Sequence, residues 1–355
     1  MSSQSIPYFR VKNIKTILSH WNIPLDLCDS IKRYHNRTVN HLEILLELFP
    51  DKPWNWNYEL SENPNITWEF VRRHPDKSWN WYFISLKPDV TWDIVQAHPE
   101  MPWSYTGLSV NRNITWKIVQ DNPDKPWNWD YLSCNPNITW EFVSRNPDKW
   151  WDWECLSWNP IVTWDIIQNN PHMNWEWHSI SENPNITWEI VQANPDKPWD
   201  WGHLSYNPNI TWEIIQQNLD KPWGWNCLSE NPNITQEIVY RNLDKPWNWD
   251  YLSSNRNITC EFIHVTMDKP WSWEHLSMNP NITWEFIHGN MDKSWDWYYL
   301  SRNHNITWET VRGHPDKPWD WRGLSRNPNF TWEIIYDNKD KPWDWSELSC
   351  NKFSR

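Results

Sequence analysis

The chain has 355 residues, with 32 Lys and Arg against 45 Asp and Glu for a formal charge of -13, and it carries 38 Trp and 28 Pro beside only 6 Gly. That acid excess argues against binding a phosphate backbone, which requires Lys and Arg to displace condensed counterions, and the many indoles argue against disorder, since disordered chains are poor in aromatics. No stretch approaches the ~18 apolar residues of a membrane span and the first residues, M-S-S-Q-S-I-P-Y-F-R-V-K, hold no apolar signal core, so we expect a soluble, intracellular protein with no nucleic acid or membrane partner.

Residues 1–50 differ in composition from the remainder of the chain. Ile14, Ile17, Leu18 and Trp21 have helical spacing, as do Leu27, Cys28, Ile31 and Tyr34, and then Val39, Leu42, Leu45, Leu46 and Phe49. Three short amphipathic helices are predicted, acting as a cap, because a solenoid needs a unit that covers the open face of its first repeat. The segment from Ile23 to Ile31, I-P-L-D-L-C-D-S-I, also has a faint likeness to the start of an F-box, the helical motif that docks on ubiquitin-ligase adaptors.

From about residue 51 to 351 the chain repeats N-P-N-I-T-W-E-I-V-Q-x-N-P-D-K-P-W-D-W-x-x-L-S, leaving 352–355 as a tail. The Trp that opens each W-x-W element stands at 54, then at 79, and from there every 24 residues to 343. A fixed period of this length marks a solenoid or array. Two Pro-containing clusters split each copy into two segments of seven or eight residues, because Pro ends helices and disfavours the helical region for the residue before it.

Both segments open with helix-start chemistry. Thr stands at 67 and every 24 residues to 331, followed two residues on by an acid in eleven of twelve copies, Lys117 being the exception. Between the two aromatics of W-x-W, twelve of thirteen copies have Asn, Asp, Ser or Gly, and only Glu176 lacks N-cap character. The Trp before that cap and the Leu five residues later, as in Trp127 and Leu132, have the spacing of a hydrophobic staple. The predicted fold is all-α, a right-handed αα-solenoid of about 12–13 two-helix repeats with a contour of about 100 to 120 Å at the usual helix spacing. The alternative is a leucine-rich-repeat-like horseshoe, suggested by the period and by L-S-x-N-P-N-I, although its apolar positions are misplaced by one residue.

Helices this short are unstable alone, so the regular Trp columns are expected to form the core. The Trp after each Thr, replaced by Gln236 and Cys260 in two copies, is expected to be the most exposed of them. The D-K pair, present in eleven of thirteen copies, is expected to build a charge ladder between neighbouring repeats. Cys28, Cys134, Cys155, Cys227, Cys260 and Cys350 form no C-x-x-C and read as free thiols in a reducing compartment. The recurrent N-I-T sequons, as at Asn65 and Asn113, have a better explanation in the Thr cap. His74, His98 and His314 replace the Asn before Pro and read as variants of one column, and no H-E-x-x-H, Gly-rich phosphate loop or nucleophile elbow is present. No catalytic residue, metal or cofactor is expected.

Two columns vary freely. The third residue of the second helix includes Tyr131, Tyr251 and Tyr299, and the residue after L-S includes Trp158 and Tyr206. These columns are expected to face solvent and to meet a partner. Trp150 and Trp158, the two indoles outside the regular pattern, make the candidate hot spot.

The repeat covers about 85% of the chain and resembles Trp-rich tandem-repeat proteins encoded by giant viruses of amoebae. The resemblance implies a repeat scaffold in a viral or amoebal setting and adds no catalytic residue. The expected function is a non-enzymatic scaffold for protein-protein interaction, with host proteins as candidate partners. The alternatives are an F-box-like substrate-recruiting adaptor, a carbohydrate-binding module and a structural virion component. The oligomeric state is left open.

Overall fold

A computed structural model of the chain describes residues 40–353. Every regular element in this range is a short helix and none is a strand, so the chain is an α-solenoid and the horseshoe is excluded. The twelve threonines stand at the N-cap position where the spacing put them, and seven of them accept a cap bond, while Thr91, Thr163, Thr187, Thr211 and Thr331 make none. Thr67, for example, has extended backbone and its hydroxyl accepts the Phe70 N–H at 3.3 Å, opening Trp68–Arg73. Asp152 accepts two N–H groups in the same way and opens Trp153–Trp158. Glu176 makes no cap bond, as expected, and neither does Gly224, which has no side chain to offer.

Each unit is a first helix followed by a second. Unit 1 pairs His41–Leu48 with Trp56–Leu60, unit 2 pairs Trp68–Arg73 with Trp81–Leu86, and unit 13 pairs Trp332–Asp337 with Trp345–Cys350. His41–Leu48 holds the place of the T-W-E helices, since the Phe49 carbonyl after it takes the Trp54 indole N–H at 2.8 Å. All thirteen leading indoles donate in this way to a carbonyl five residues back, at the end of their own first helix. The two helical patterns at 14–21 and 27–34, and the F-box-like 23–31, lie outside the described residues.

Three sets of contacts join each unit to the next. The L-S serine accepts the backbone N–H of the following unit's second-helix cap, and its own hydroxyl turns back on its helix, as Ser181 does to the Trp177 carbonyl at 2.7 Å. The Asn two residues on donates to backbone carbonyls of the preceding unit, as Asn183 does to Ser157 and Asn159. The second Trp of W-x-W stands edge-on to the first Trp of the next unit, with centroids 5.2 Å apart for Trp177 and Trp199. Serine and asparagine here satisfy buried backbone groups that two short helices leave unpaired.

The same three contacts join unit 13 to unit 1. Asn55 N–H donates to Ser349 Oγ at 3.3 Å, Asn63 Nδ2 donates to the Ser349 and Asn351 carbonyls at 2.7 and 3.0 Å, and Trp345 stands edge-on to Trp54 at 5.1 Å. Asn65 also donates to Lys352, and Phe353 packs near His41 with centroids 6.2 Å apart. The solenoid is therefore a closed ring of thirteen units, not an open superhelix with two free ends as the contour estimate assumed. The open face of unit 1 is covered by unit 13.

Consecutive second helices pack closely from unit 2 round to unit 1, the looser pair being units 1 and 2, while consecutive first helices stand apart except where Trp332–Asp337 meets His41–Leu48. In a closed ring the closer-spaced layer is the inner one, so the W-x-W helices line the hole and the T-W-E helices form the rim. At the usual ~8 to 10 Å between packed helices, the inner axes lie on a circle roughly 33 to 41 Å across.

Three further expectations are corrected. Cys134 and Cys155 are disulfide-bonded between the inner helices of units 4 and 5, with Cα atoms 5.2 Å apart, while Cys227, Cys260 and Cys350 are free; Cys28 lies outside the described residues. Nine of the eleven D-K lysines pair with their own aspartates, as Lys125 does with Asp124 at 3.1 Å, and not with an acid of the next unit. Four of the eleven, Lys52, Lys77, Lys149 and Lys293, reach an indole of the unit before, as Lys77 does over Trp56 at 5.1 Å and Lys52, across the closing seam, over Trp345 at 5.2 Å. Finally, the post-Thr indoles are not exposed. They are buried or half-buried against a leading Trp one unit on, as Trp188 is against Trp223 at 5.9 Å.

Candidate functional site: the inner face of the ring

The inner helices are six residues or shorter, and their framework positions are consumed by packing. The first residue is the edge-on aromatic, the fourth a buried Leu or Ile, the fifth the buried Ser, each of the last two falling one place later in unit 1, at Leu60 and Ser61. What remains for the hole is the second and third residues and the residue after Ser. Ring closure brings these positions together across large sequence distances. Glu59, Glu62, Met278, Tyr299, Arg302, Arg326 and Cys350 line one cavity of about 820 Å³ although they come from five successive units.

The charges there are unevenly paired. Arg322 and Arg326 both hold Glu347, at 3.1 and 3.2 Å. Arg302 has no ion-pair partner among the described residues, and Glu59 Oε2 is buried without a hydrogen bond. Burial pushes the Cys350 thiol up to about 11, against the pull of Arg326, so it is a neutral thiol at ordinary pH. Tyr206 donates its hydroxyl to Glu230 of the next unit at 3.0 Å, and its pKa is raised by burial and by that carboxylate.

Five of the six sequence-derived candidates lie on this face. Trp158 and Tyr206 follow the Ser, and Tyr131, Tyr251 and Tyr299 take the third position, with Tyr299 in the cavity wall. Trp158 is 52% exposed. Trp150, 85% exposed, stands in the loop before Trp153–Trp158, whereas Trp158 ends that helix.

The third position is not uniformly open. Ser179, Gly107 and Gly323 are buried. At Gly107 a Cβ would meet the Tyr82 carbonyl oxygen at 2.5 Å, and Gly323 meets that of Tyr298 in the same way. The first gap lets Tyr82 reach Tyr131 two units on, with centroids 6.4 Å apart, and burial together with that neighbour raises the Tyr82 pKa.

The framework asparagine is replaced once, by Lys87, whose Nζ donates to the Asn63 carbonyl at 2.8 Å. Burial pulls its pKa down to about 8, with Asp89 opposing. The histidines before Pro behave as column variants. His74 and His314 place Nδ1 2.9 and 3.0 Å from the carbonyl four residues back, where Asn146 donates at 2.8 Å; His98 pairs with Glu100 instead. No group of three or more His, Cys, Asp and Glu is placed to hold a metal among the described residues. On the outside, splayed first helices leave clefts with indole walls at equivalent places, one beside Trp116 and Trp129, another beside Trp164 and Trp177.

The serine and asparagine bonds were missed at the level of sequence, although thirteen serines at one position were a visible signal. The cavity charges gave none, because Glu59 and Arg302 come to line one cavity only through closure. No known protein family's pattern matches the chain, and no curated protein and no solved structure is similar to it. None of the described helices is long and apolar enough to cross a membrane.

Proposed function

We propose that the ring is a non-enzymatic scaffold that holds a protein partner on its inner face. The observation that supports this is the division of labour within each unit. Residues repeated round the ring close backbone and indole contacts, while the side chains that vary from unit to unit collect on one concave surface. A surface that differs at every step round a constant frame suits recognition, where a few central aromatics supply most of the binding energy. The giant-virus resemblance points to amoebal host proteins, inside the infected cell, as the source of that partner.

A photo-crosslinking residue at Tyr251 tests the reading. The expected result is a discrete adduct that Trp158→Ala with Tyr206→Ala abolishes and that the same crosslinker at Asp196, on the outer loop, does not give. Equal adducts from both positions would remove the inner face as the binding surface.

A second reading, a structural virion component, is favoured by the disulfide between Cys134 and Cys155. Such bonds persist on virions and are rare in the cytosol. Mass spectrometry of purified particles, with alkylation before reduction, distinguishes the two.

A further inference from the structure

The inner face is polarised along the ring. From unit 4 to unit 10 its open positions hold Asp130, Glu154, Glu182, Glu230, Asp250 and Glu274 and no Lys or Arg. The arginines of the inner helices, Arg302, Arg322 and Arg326, are confined to units 11 and 12, and two of them are occupied by Glu347. Within the acidic arc, Tyr131 and Tyr251 are each 39% exposed and Trp158 is open as well. Aromatic faces alternating with carboxylates that no Lys or Arg neutralises are what a guanidinium or ammonium group binds best, by cation–π contact on one side and charge on the other.

We infer that the arc from unit 4 to unit 10 takes an extended, Arg- and Lys-rich segment of a protein partner. The inference rests on the scaffold reading above and names the chemistry of its partner. Units stand roughly 8 to 10 Å apart, a distance that an extended chain covers in two to three residues. A segment with a cation at every second or third residue therefore meets a carboxylate in six of the seven units, and the Tyr206 ring in the remaining one, unit 7. The basic sector in units 11 and 12 sets where that segment must end.

The test is fluorescence anisotropy on the full chain, with a labelled peptide of six Arg-Gly-Ser triplets and a Glu-Gly-Ser peptide as control. Expected are saturable binding of the basic peptide only, weakened as NaCl rises from about 50 to 300 mM, and a loss of about tenfold or more in Asp250→Lys with Glu274→Lys. Trp158→Ala should lose about threefold to tenfold. Asp196→Lys with Asp220→Lys, which makes the same charge change on exposed loop residues, should stay within about twofold of the parent. Circular dichroism confirms folding, and Asp250→Asn with Glu274→Gln serves as the milder variant. Equal losses from loop and inner variants would overturn the inference, as would binding of the acidic peptide, or displacement by spermine at equal charge. If the Tyr251 crosslink forms and the basic peptide does not bind, the scaffold reading stands and this inference alone falls.

Discussion

The seam between units 6 and 7 joins residues 19 apart in sequence, Ser181 and Asp200, and the seam between units 13 and 1 joins Ser349 to Asn55, 294 apart. Both use the serine bond, the asparagine bond and the edge-on indoles, and the ring separations differ by 0.1 Å, 5.2 against 5.1 Å. The differences lie around these contacts. Unit 1 has an eight-residue first helix in place of six, a π-helical second helix at Trp56–Leu60, and Phe49 packed on Trp345 at 5.0 Å. The serine bond at the closing seam is also longer, 3.3 against 2.9 Å. Closure thus reuses the chemistry of a neighbouring pair without the covalent tether that a neighbouring pair enjoys, and local adjustments in unit 1 absorb the mismatch.

Removing a leading indole breaks the comparison most strongly. Trp54→Ala and Trp223→Ala each delete a buried ring and its N–H bond, for an expected loss of about 3 to 5 kcal/mol in urea unfolding. Trp54→Ala alone should raise the radius of gyration in small-angle scattering, because only that seam lacks a covalent connection. An unchanged radius would mean that the seam survives without its indole.

The disulfide is the next lever. It closes 21 residues between units 4 and 5, which the chain-entropy account values at about 2 to 4 kcal/mol. Reductant should lower the melting temperature of the parent and leave Cys134→Ser with Cys155→Ser unmoved.

Lys87 gives a pH-dependent contrast. Its folded pKa, about 8, lies below the ordinary 10.5. The unfolded chain therefore binds the extra proton between these values, and stability rises with pH across that window, by up to about 3 kcal/mol. Lys87→Asn, which restores the column residue, should lack this slope and exceed the parent in stability below pH 8. Denaturant titrations at pH 7, 9 and 10 check it.

The smallest effect sharpens the comparison. Ser181→Ala and Ser349→Ala each strand a backbone N–H, at about 1 to 3 kcal/mol. The longer bond at the closing seam predicts the smaller loss for Ser349→Ala, and the reverse order in parallel melts would show that seam to be the tighter one.

The local chemistry was legible in the sequence. Thr67 and Asp152 announce their helices because a cap is decided within four residues, and Glu176 announces its own failure for the same reason. Indole burial was legible because helices this short need it, yet Gln236 and Cys260 misled on the post-Thr column, since substitution there relieves a half-buried site and does not mark an open one. Closure was not legible. Curvature is set by how far apart the two layers hold their helices, a property of summed side-chain volumes that no motif carries. Without closure, the placing of Arg302 and Glu59 on one cavity could not be read from spacing, and the pairing of Cys134 with Cys155, between neighbouring units but across unlike columns, carried no motif either.

Repeat arrays usually lengthen or shorten by duplication and loss of whole copies, since an added copy only moves the end. A chain whose last serine bonds to its first cap has no end to move. Thirteen copies fix the bend at about 28° each, and twelve or fourteen would demand about 30° or 26° at every joint simultaneously. Inheritance of such an array should therefore tolerate exchange of side chains within a copy far better than any change in the number of copies.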